Sequence, residues 1–339
     1  MENVTVSVVI CAYTEKRWDD LVAAITSVQQ QTLPVKEIVL VIDHNEALLQ
    51  KAREYFTAAT DVTIVENLGP AGANGSRNAG IAATTGSILA FLDDDAVATS
   101  DWLSQLLSGF EDPEVLGVGG HIDPLWSHHR PAWFPDEFNW VLGCTYRGMP
   151  VQSANVRNLI GCNMALRREV WDSIGGFWHQ FGHVGGEPRG CGDTEFGIRI
   201  HQRWPHHKLL YLPLAKVYHR VPANRMSWRY FISRCHFEGC SKARLAQVVG
   251  TRDGLSSERT YVLHTLPQGL VLGIVESIFQ RDLSGLARSG AIAAGLASTV
   301  QGYTSERFHA YGKLIGRKLQ QKVPLPFFPF KHTKKTTSY

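Results

Sequence analysis

Short apolar runs alternate with amphipathic segments along the first part of the chain. The apolar runs have the length of buried strands. They are Val6–Ala12, Glu37–Asp43, Val62–Glu66 and Ser87–Leu92. Arg17–Gln31 and Glu46–Ala58 lie between them and have the pattern of helices. This alternation predicts a parallel sheet with right-handed crossovers and helices on both faces.

The next part of the chain keeps both kinds of element but spaces them less regularly. The predicted helices are Asp101–Phe110, Arg168–Ile174 and Asp193–Trp204, and the predicted strands are Val115–His121, Arg157–Leu166 and Leu209–Tyr218. Asp123–Pro150 is rich in tryptophan, tyrosine, histidine and proline. We expect it to be a long functional loop or a lid, and not a core element.

From Ser227 onward the pattern becomes helical. Thr260–Val275 and Ser289–Ser305 contain no Asp, Glu, Lys or Arg. A membrane-spanning helix needs about 20 strongly apolar residues, and neither stretch reaches that. They are predicted to be amphipathic helices that lie on a bilayer, or helices that pack against the preceding domain. The ending VPLPFFPFKHTKK pairs aromatic residues with lysines, as an interfacial anchor or a disordered tail would.

Composition places the chain among globular proteins. Of 339 residues, 44% are hydrophobic and 19% are charged, and the net charge of +3 gives no reason to expect a nucleic-acid partner. The six cysteines contain no Cys-x-x-Cys pair, so neither a zinc site nor a disulfide framework is expected. The N-terminus lacks a basic region before an apolar stretch, which predicts a cytoplasmic location without a signal peptide.

Acidic residues stand where two of the predicted strands end. Asp43 closes the second strand, and Asp93, Asp94 and Asp95 follow the fourth. Ionised carboxylates cannot be buried without a partner, so the triplet should lie at a sheet edge that faces water or a cation. Asp93 and Asp95 point the same way if strand geometry persists, which predicts a hard-oxygen site for Mg²⁺ or Mn²⁺. The alternative is an acidic turn that caps the following helix.

A glycine-rich segment, Asn67–Gly80, precedes the fourth strand. In parallel sheets the ligand lies beyond the carboxyl ends of the strands. Asp43, this segment and the acidic triplet all fall at that edge. Their convergence predicts one ligand site there.

Several segments occur in an order that resembles the family 2 glycosyltransferases. They are VSVVICAYTEKRWDDLVAAITSVQQQT, GANGSRNAG, FLDDDA, IGCNMALRREVWDSIGGF and GCGDTEFGIR. The resemblance covers Val4 to about Ala243. It implies an α/β fold of the GT-A type, a Rossmann-like, mostly parallel sheet with helices on both faces, followed by a C-terminal helical extension. The expected domains are 1–225 for catalysis, 226–310 for the extension and 311–339 for a basic and aromatic tail.

The resemblance also implies roles for residues that would bind the donor. Asp43 would approach the nucleobase or ribose, and Arg77 and Asn78 would line the nucleotide pocket. Asp93 and Asp95, with Asp94 adjacent, would hold the metal and the nucleotide. His219, at the end of a late strand, would make a further metal or diphosphate contact. A satisfied core histidine is the alternative for His219.

Asp193 is implied to be the catalytic base, which takes a proton from the attacking hydroxyl. It could instead be the N-cap of the helix that it begins. Glu195 is the alternative base. Two departures from the family pattern are Thr14 after Tyr13, where relatives usually have asparagine, and Gly192, where an acid commonly precedes the base.

The function implied is metal-dependent, inverting transfer of a single sugar from a UDP- or GDP-sugar. The expected acceptor is a hydroxyl group, on a lipid-linked saccharide or glycolipid, in cell-envelope polysaccharide or glycolipid synthesis. The Gln-x-x-Arg-Trp motif of processive synthases and clear transmembrane helices are absent from the sequence, which favours one transfer over polymer extrusion. Peripheral contact with the inner face of the cell membrane is left open.

Two other functions are compatible with a metal site at the edge of such a sheet. A sugar nucleotidyltransferase should carry a glycine-rich, arginine-containing loop directly after the first strand, where this chain has Cys11–Glu15. A nucleotide- or carbohydrate-binding protein without catalysis is suggested only by Gly192. Hydrolysis of the donor in the presence of Mn²⁺ or Mg²⁺ would separate these alternatives.

Overall fold

The computed structural model describes residues 4–182 and 190–321, and within them one nine-stranded sheet forms the centre of the fold. Its strands are β1 (Val6–Ala12), β2 (Glu37–Asp43), β3 (Val62–Asn67), β4 (Ile88–Asp93), β5 (Ala96–Ala98), β6 (Val115–Trp126), β7 (Ala154–Asn155), β8 (Asn163–Arg167) and β9 (Lys208–Val221). The predicted basic and aromatic tail lies outside the described residues from position 322 onward.

Helices flank the sheet and form the C-terminal part. They are α1 (Trp18–Gln29), α2 (Glu46–Tyr55), α3 (Ala73–Ala83), α4 (Trp102–Ser108), α5 (Arg168–Ile174), α6 (Gly192–Arg203), α7 (Trp228–Val249), α8 (Thr251–Gly254), α9 (Ser256–Thr260), α10 (Leu266–Gln280) and α11 (Ser284–Gln321). Short 3₁₀ helices occupy Glu15–Arg17, Gly109–Glu111, Asp136–Leu142 and Ala223–Met226, and Tyr261–Thr265 is a π-helix.

The sheet is parallel in its first half and mixed in its second. The strand order is β3-β2-β1-β4-β8-β6-β9-β5, and β7 pairs with β9. Strands β1 to β4 pair in parallel, whereas β8 is antiparallel to both β4 and β6. The predicted α/β sheet with helices on both faces and a helical extension is therefore confirmed, with an antiparallel element in its second half.

The antiparallel strand β8 positions residues beside the acidic triplet. Leu92, the last residue before the triplet, is paired with Asn163, the first residue of β8. The residues just before β8 therefore lie beside the carboxyl end of β4. The predicted strand Arg157–Leu166 begins too early, because only Asn163–Arg167 is extended and paired.

The hydrophobic core joins the sheet to the helical extension. One cluster runs from β1 through Phe134 and Phe138 to Phe231 on α7 and Ile292 on α11. The rings of Phe134 and Phe138 lie 5.6 and 5.2 Å from that of Phe231. The division predicted between residues 225 and 226 remains a prediction, and the two parts share this core.

The expectation that Asp123–Pro150 is a loop outside the core is wrong. β6 continues to Trp126, and a 3₁₀ helix follows at Asp136–Leu142. Phe134 and Phe138 are fully buried. The prolines and polar residues of this segment interrupt its periodicity, but its aromatic side chains supply the apolar surface that α7 and α11 cover.

A partly buried ionic cluster also ties the extension to the preceding domain. Glu258 of α9 accepts hydrogen bonds from Arg157 at 2.7 and 3.0 Å and contacts Lys242 of α7 at 2.6 Å. Burial alone would raise the pKa of Glu258, but the charges of Lys242 and Arg157 outweigh it and lower that pKa from 4.5 to about 2.

One helical segment among the described residues has the length and composition of a membrane span. It is Ser257–Phe279, and only 28% of its apolar window is buried. The sequence pattern predicted no such span. Length and composition alone do not distinguish a span from a helix that packs on a surface.

Candidate active site

The acidic triplet at the end of β4 is held by a cation from the protein itself. Asp94 and Asp95 are only 4% and 3% exposed. Arg17 Nη1 donates to Asp94 Oδ1 and to Asp95 Oδ2, both at 2.7 Å. These two carboxylates are thus buried and paired with a guanidinium, while the Asp93 side chain stays 37% exposed.

His219 pairs with Asp95 inside this cluster. Its Nε2 lies 3.0 Å from Asp95 Oδ1, and its Nδ1 lies 3.9 Å from Cys144 Sγ. Burial opposes protonation of His219, but Asp95 outweighs it and raises the pKa of His219 well above its usual value. Both ring nitrogens have protein partners, as expected of a satisfied buried histidine, and a cation bound by His219 would replace one of these partners.

The two buried carboxylates have opposite pKa shifts. Burial would raise the pKa of Asp95, but the charge of His219 and its hydrogen bond outweigh burial and lower it. Burial and the neighbouring Asp95 raise the pKa of Asp94 to about 8. Arg225 adds a further positive charge, since its Nη2 lies 4.0 Å from Asp95 Oδ2.

Arg77 connects the triplet to the predicted base. From α3, its Nη1 donates to Asp193 Oδ1 at 3.1 Å, and its Nη2 lies 3.4 Å from Asp93 Oδ1. The guanidinium passes close to Gly161, where an added Cβ would lie 2.4 Å from Arg77 Nη2. Residue 161 must therefore be glycine if Arg77 is to bridge Asp93 and Asp193.

Asp193 lies in the first turn of α6 but does not cap it. The N-cap is Cys191, at a φ of 72°, so the N-cap alternative is wrong. Asp193 Oδ2 instead accepts the backbone N–H of Gly161 at 2.8 Å. The Cys191 thiol donates to Glu238 of α7 at 3.5 Å, so the helical extension contacts the start of the helix that carries Asp193.

Glu195 is held in a buried ion pair with Arg199. It is 0% exposed, and Arg199, four residues later on α6, donates to both of its oxygens. Arg199 also donates to the carbonyls of Ile174 and Gly176 at 2.9 and 2.7 Å. This arrangement gives Glu195 a structural role that joins α6 to the end of α5.

Asp43 and Asn78 support the glycine-rich segment. Asp43 accepts from Asn67 Nδ2 at 2.7 Å and from the N–H of Gly72 at 2.8 Å. Asn78 exchanges two hydrogen bonds of 2.9 Å with the backbone of Phe177. Neither side chain contacts the acidic triplet, and their roles toward a nucleotide remain predictions.

The donor atoms around Asp93 fit a divalent cation. Three potential ligand atoms, one each from Asp93, Cys162 and His219, lie within 4.8 Å of one another. Asp95 is hydrogen-bonded to the same imidazole, and the buried Asp94 Oδ2 has no hydrogen-bond partner among the described residues. Carboxylates with an imidazole suit Mn²⁺ and related cations, and Asp93, Asp95 and His219 are the residues that would hold one.

Three side chains of this site do not follow from the sequence pattern. Arg17 and Arg225 contact the triplet, and Cys162 faces Asp93 and His219. Arg17 follows the carboxyl end of β1, so the rule that ligands bind at that edge could have identified it. Cys162 could not be identified, because its position depends on the antiparallel pairing of β8.

A family model and related sequences match this chain. The model described as "Glycosyl transferase family 2" matches residues 7–175. A glucosyl-dolichyl phosphate glucuronosyltransferase of Haloferax volcanii is 32% identical over 238 residues, 70% of this chain and 76% of that protein. The succinoglycan biosynthesis protein ExoM of Rhizobium meliloti is 31% identical over 50% of this chain and 52% of its own.

Solved structures share the fold. The mannosyltransferase PcManGT from Pyrobaculum calidifontis, in complex with GDP-Man and Mn²⁺, matches with a TM-score of 0.57 at 16% identity, over 88% of this chain and 86% of that one. GalNAc-T7 with UDP, GalNAc and Mn²⁺ matches with a TM-score of 0.52 at 20% identity, over 78% of this chain and 57% of that one. The predicted GT-A fold is confirmed.

Proposed function

This chain belongs to glycosyl transferase family 2 and is a glycosyltransferase, and we propose that it moves one sugar from a UDP- or GDP-sugar to a hydroxyl group of a lipid-linked saccharide or glycolipid. One observation carries the proposal. Arg77 contacts Asp93, the candidate cation ligand, and Asp193, the candidate base, so donor and acceptor chemistry would meet at one guanidinium.

The donor side of the site consists of Asp93, Asp95 and His219, with Arg17 and Arg225 beside them. When bound there, a divalent cation such as Mg²⁺ or Mn²⁺ supplies positive charge that neutralises the diphosphate as it leaves. Arg17 and Arg225 would add further positive charge beside the diphosphate. The nucleoside would extend toward Asp43 and the glycine-rich segment, which is held in place by Asn67 and Asn78.

The acceptor side depends on Asp193. A hydroxyl group is a weak nucleophile, so a carboxylate within hydrogen-bond distance must take its proton as the glycosidic bond forms. Arg77 and the Gly161 N–H hold the Asp193 carboxylate in one orientation. A single base opposite the leaving group implies one displacement, and therefore inversion at the anomeric carbon.

Glu195 is a poor rival for the role of base. Both of its oxygens accept from Arg199, and its side chain is closed off from solvent. An acceptor hydroxyl would have to displace a buried ion pair to reach it, at a cost of several kcal/mol. This contrast favours Asp193.

Two observations support a lipid-linked acceptor and peripheral contact with a membrane, which we propose to be the inner face of the cell membrane. The Haloferax volcanii relative is named for a glucosyl-dolichyl phosphate substrate. The helix α10 leaves several large apolar side chains exposed, among them Val271, Ile278 and Phe279. An exposed apolar helix face would keep the enzyme at the surface where a lipid acceptor resides.

The test is a transfer assay with a panel of nucleotide sugars, Mg²⁺ or Mn²⁺, and short-chain polyprenyl-linked acceptors, after a thermal-shift screen for donors. The expected result is a donor that stabilises the protein only with a divalent cation and yields a product of inverted configuration. Retention of configuration would contradict single displacement. Donor binding without transfer or hydrolysis would favour a binding protein, and release of diphosphate from a nucleoside triphosphate and a sugar phosphate would favour a nucleotidyltransferase.

A further inference from the structure

A thiol lies among the candidate cation ligands. Within residues 4–182 and 190–321, Asp93, Cys162 and His219 form a group whose ligand atoms all lie within 4.8 Å of one another. Cys162 is buried and Asp93 is half-buried. The group thus offers one carboxylate oxygen, one sulfur and one imidazole nitrogen to a cation bound between them.

The backbone around Cys162 is fixed from both sides. The preceding Gly161 donates its N–H to Asp193 Oδ2 at 2.8 Å and has no room for a Cβ beside Arg77. The following Asn163 is paired with Leu92 and donates to the carbonyls of His121 and Ala215 at 3.0 and 2.9 Å. The Cys162 sulfur is therefore held next to the acids by a rigid segment.

Oxygen, nitrogen and sulfur ligands select different cations. Mg²⁺ prefers carboxylates and water, and sulfur contributes little to its binding. Zn²⁺ and Co²⁺ are borderline in softness and bind thiolate and imidazole well. A site with a thiol at its centre should therefore discriminate among divalent cations in a way that an all-carboxylate site does not.

We propose that Cys162 is a direct ligand when a borderline divalent cation, Zn²⁺ or Co²⁺, occupies the site formed with Asp93 and His219. The proposal rests on the cation site of the proposed function and specifies which cations it takes. Binding forms a metal–sulfur bond, and the thiol proton passes to solvent. The consequence is that Zn²⁺ competes with Mg²⁺ or Mn²⁺ for this site.

The test is a Co²⁺ titration of the full chain, purified without metal and followed by absorption spectroscopy. Thiolate ligation gives a sulfur-to-cobalt charge-transfer band in the near ultraviolet, and any ordered site gives visible d–d bands. We expect both in the wild type. Cys162→Ser should lose the charge-transfer band and bind Co²⁺ at least about tenfold more weakly, because even the loss of a residue that only supports a ligand typically costs about 10- to 100-fold in affinity.

Cys144→Ser is the matched control. Cys144 is also buried and lies 3.9 Å from His219 Nδ1, but it is outside the three-residue group. This variant should keep both kinds of band. A charge-transfer band that survives in Cys162→Ser, or that disappears in Cys144→Ser alone, would overturn the assignment of Cys162.

If Cys162→Ser does not fold, the cobalt spectrum of the wild type alone still tests thiolate ligation. Visible cobalt bands without a charge-transfer band would overturn thiolate ligation. Parallel transfer assays with Mg²⁺ or Mn²⁺ separate this inference from the proposed function. Transfer without any cobalt–sulfur band overturns only the inference, and a cobalt–sulfur band without transfer overturns only the proposed function.

Discussion

Arg77 donates a hydrogen bond to Asp193 over 3.1 Å, although 116 positions separate them in the chain. The contact joins the first turn of α6 to helix α3. The glycine-rich segment Asn67–Gly80 ends within α3. Because the same guanidinium also approaches Asp93, Arg77 links the candidate cation ligand to the candidate base.

Asp193→Asn should lower the transfer rate by about 10²- to 10⁴-fold, because an amide cannot take the proton of the acceptor hydroxyl. Donor affinity should change less than about threefold, since Asp193 is not among the candidate cation ligands. The measurement is kcat for transfer alongside donor Kd by calorimetry. Asp172→Asn, an exposed aspartate on α5, is the control. A kcat within about twofold of the wild type would remove Asp193 from its proposed role.

Glu195→Gln should lower the free energy of unfolding and leave the rate of sugar transfer unchanged. Removal of one partner of a buried ion pair leaves the Arg199 charge without compensation, which typically costs about 3–5 kcal/mol in the free energy of unfolding. Chemical denaturation measures this loss. The kcat of the folded variant should stay within about twofold of the wild type, and a fall comparable to that of Asp193→Asn would show that Glu195 is the base.

The ionic cluster of Glu258 should make stability depend on acid pH. Its folded-state pKa of about 2 lies below the ordinary 4.5, so the unfolded chain binds the proton more tightly. Its contribution is present above pH 4.5 and is lost as the pH falls toward about 2. The difference in unfolding free energy between wild type and Glu258→Gln should shrink across that window. Glu54→Gln, at an exposed position on α2, should show no such narrowing.

The exposed face of α10 should bind lipid vesicles. Ile278 and Phe279 are 69% and 82% exposed, and full burial of such side chains gains about 1.5–3 kcal/mol each. Replacing both with serine should weaken co-sedimentation with anionic phosphatidylglycerol vesicles by more than about tenfold. Leu214→Ser on β9, where leucine is 71% exposed, is the matched control. An equal loss of vesicle binding in both variants would contradict a specific role for the exposed face of α10.

The sequence pattern was sufficient to predict the architecture and part of the candidate site. Apolar runs that end in Asp43 and Asp93 predicted parallel strands whose carboxyl ends carry acids, and β2 and β4 have that arrangement. The proximity of Asp193 to this edge followed from family resemblance alone, since no local pattern relates residues so distant in the chain.

Other features depend on contacts that no local pattern reveals. Arg17 donates hydrogen bonds to Asp94 and Asp95 from 77 and 78 positions away, so two of the acids expected to face water or a cation are instead buried against a guanidinium. Glu195 carries a carboxylate, as a catalytic base would, and only its ion pair with Arg199 shows that its role is structural. Phe134 and Phe138 lie in a segment with prolines and polar residues, and their burial depends on helices encoded about 100 residues later.

The aromatic contact of Phe134 and Phe138 with Phe231 has a practical consequence for protein production. A shortened chain that stops before α7 would leave those two rings facing water on a newly bared surface. Such a fragment would self-associate on expression, and a minimal enzyme must therefore retain the C-terminal helices.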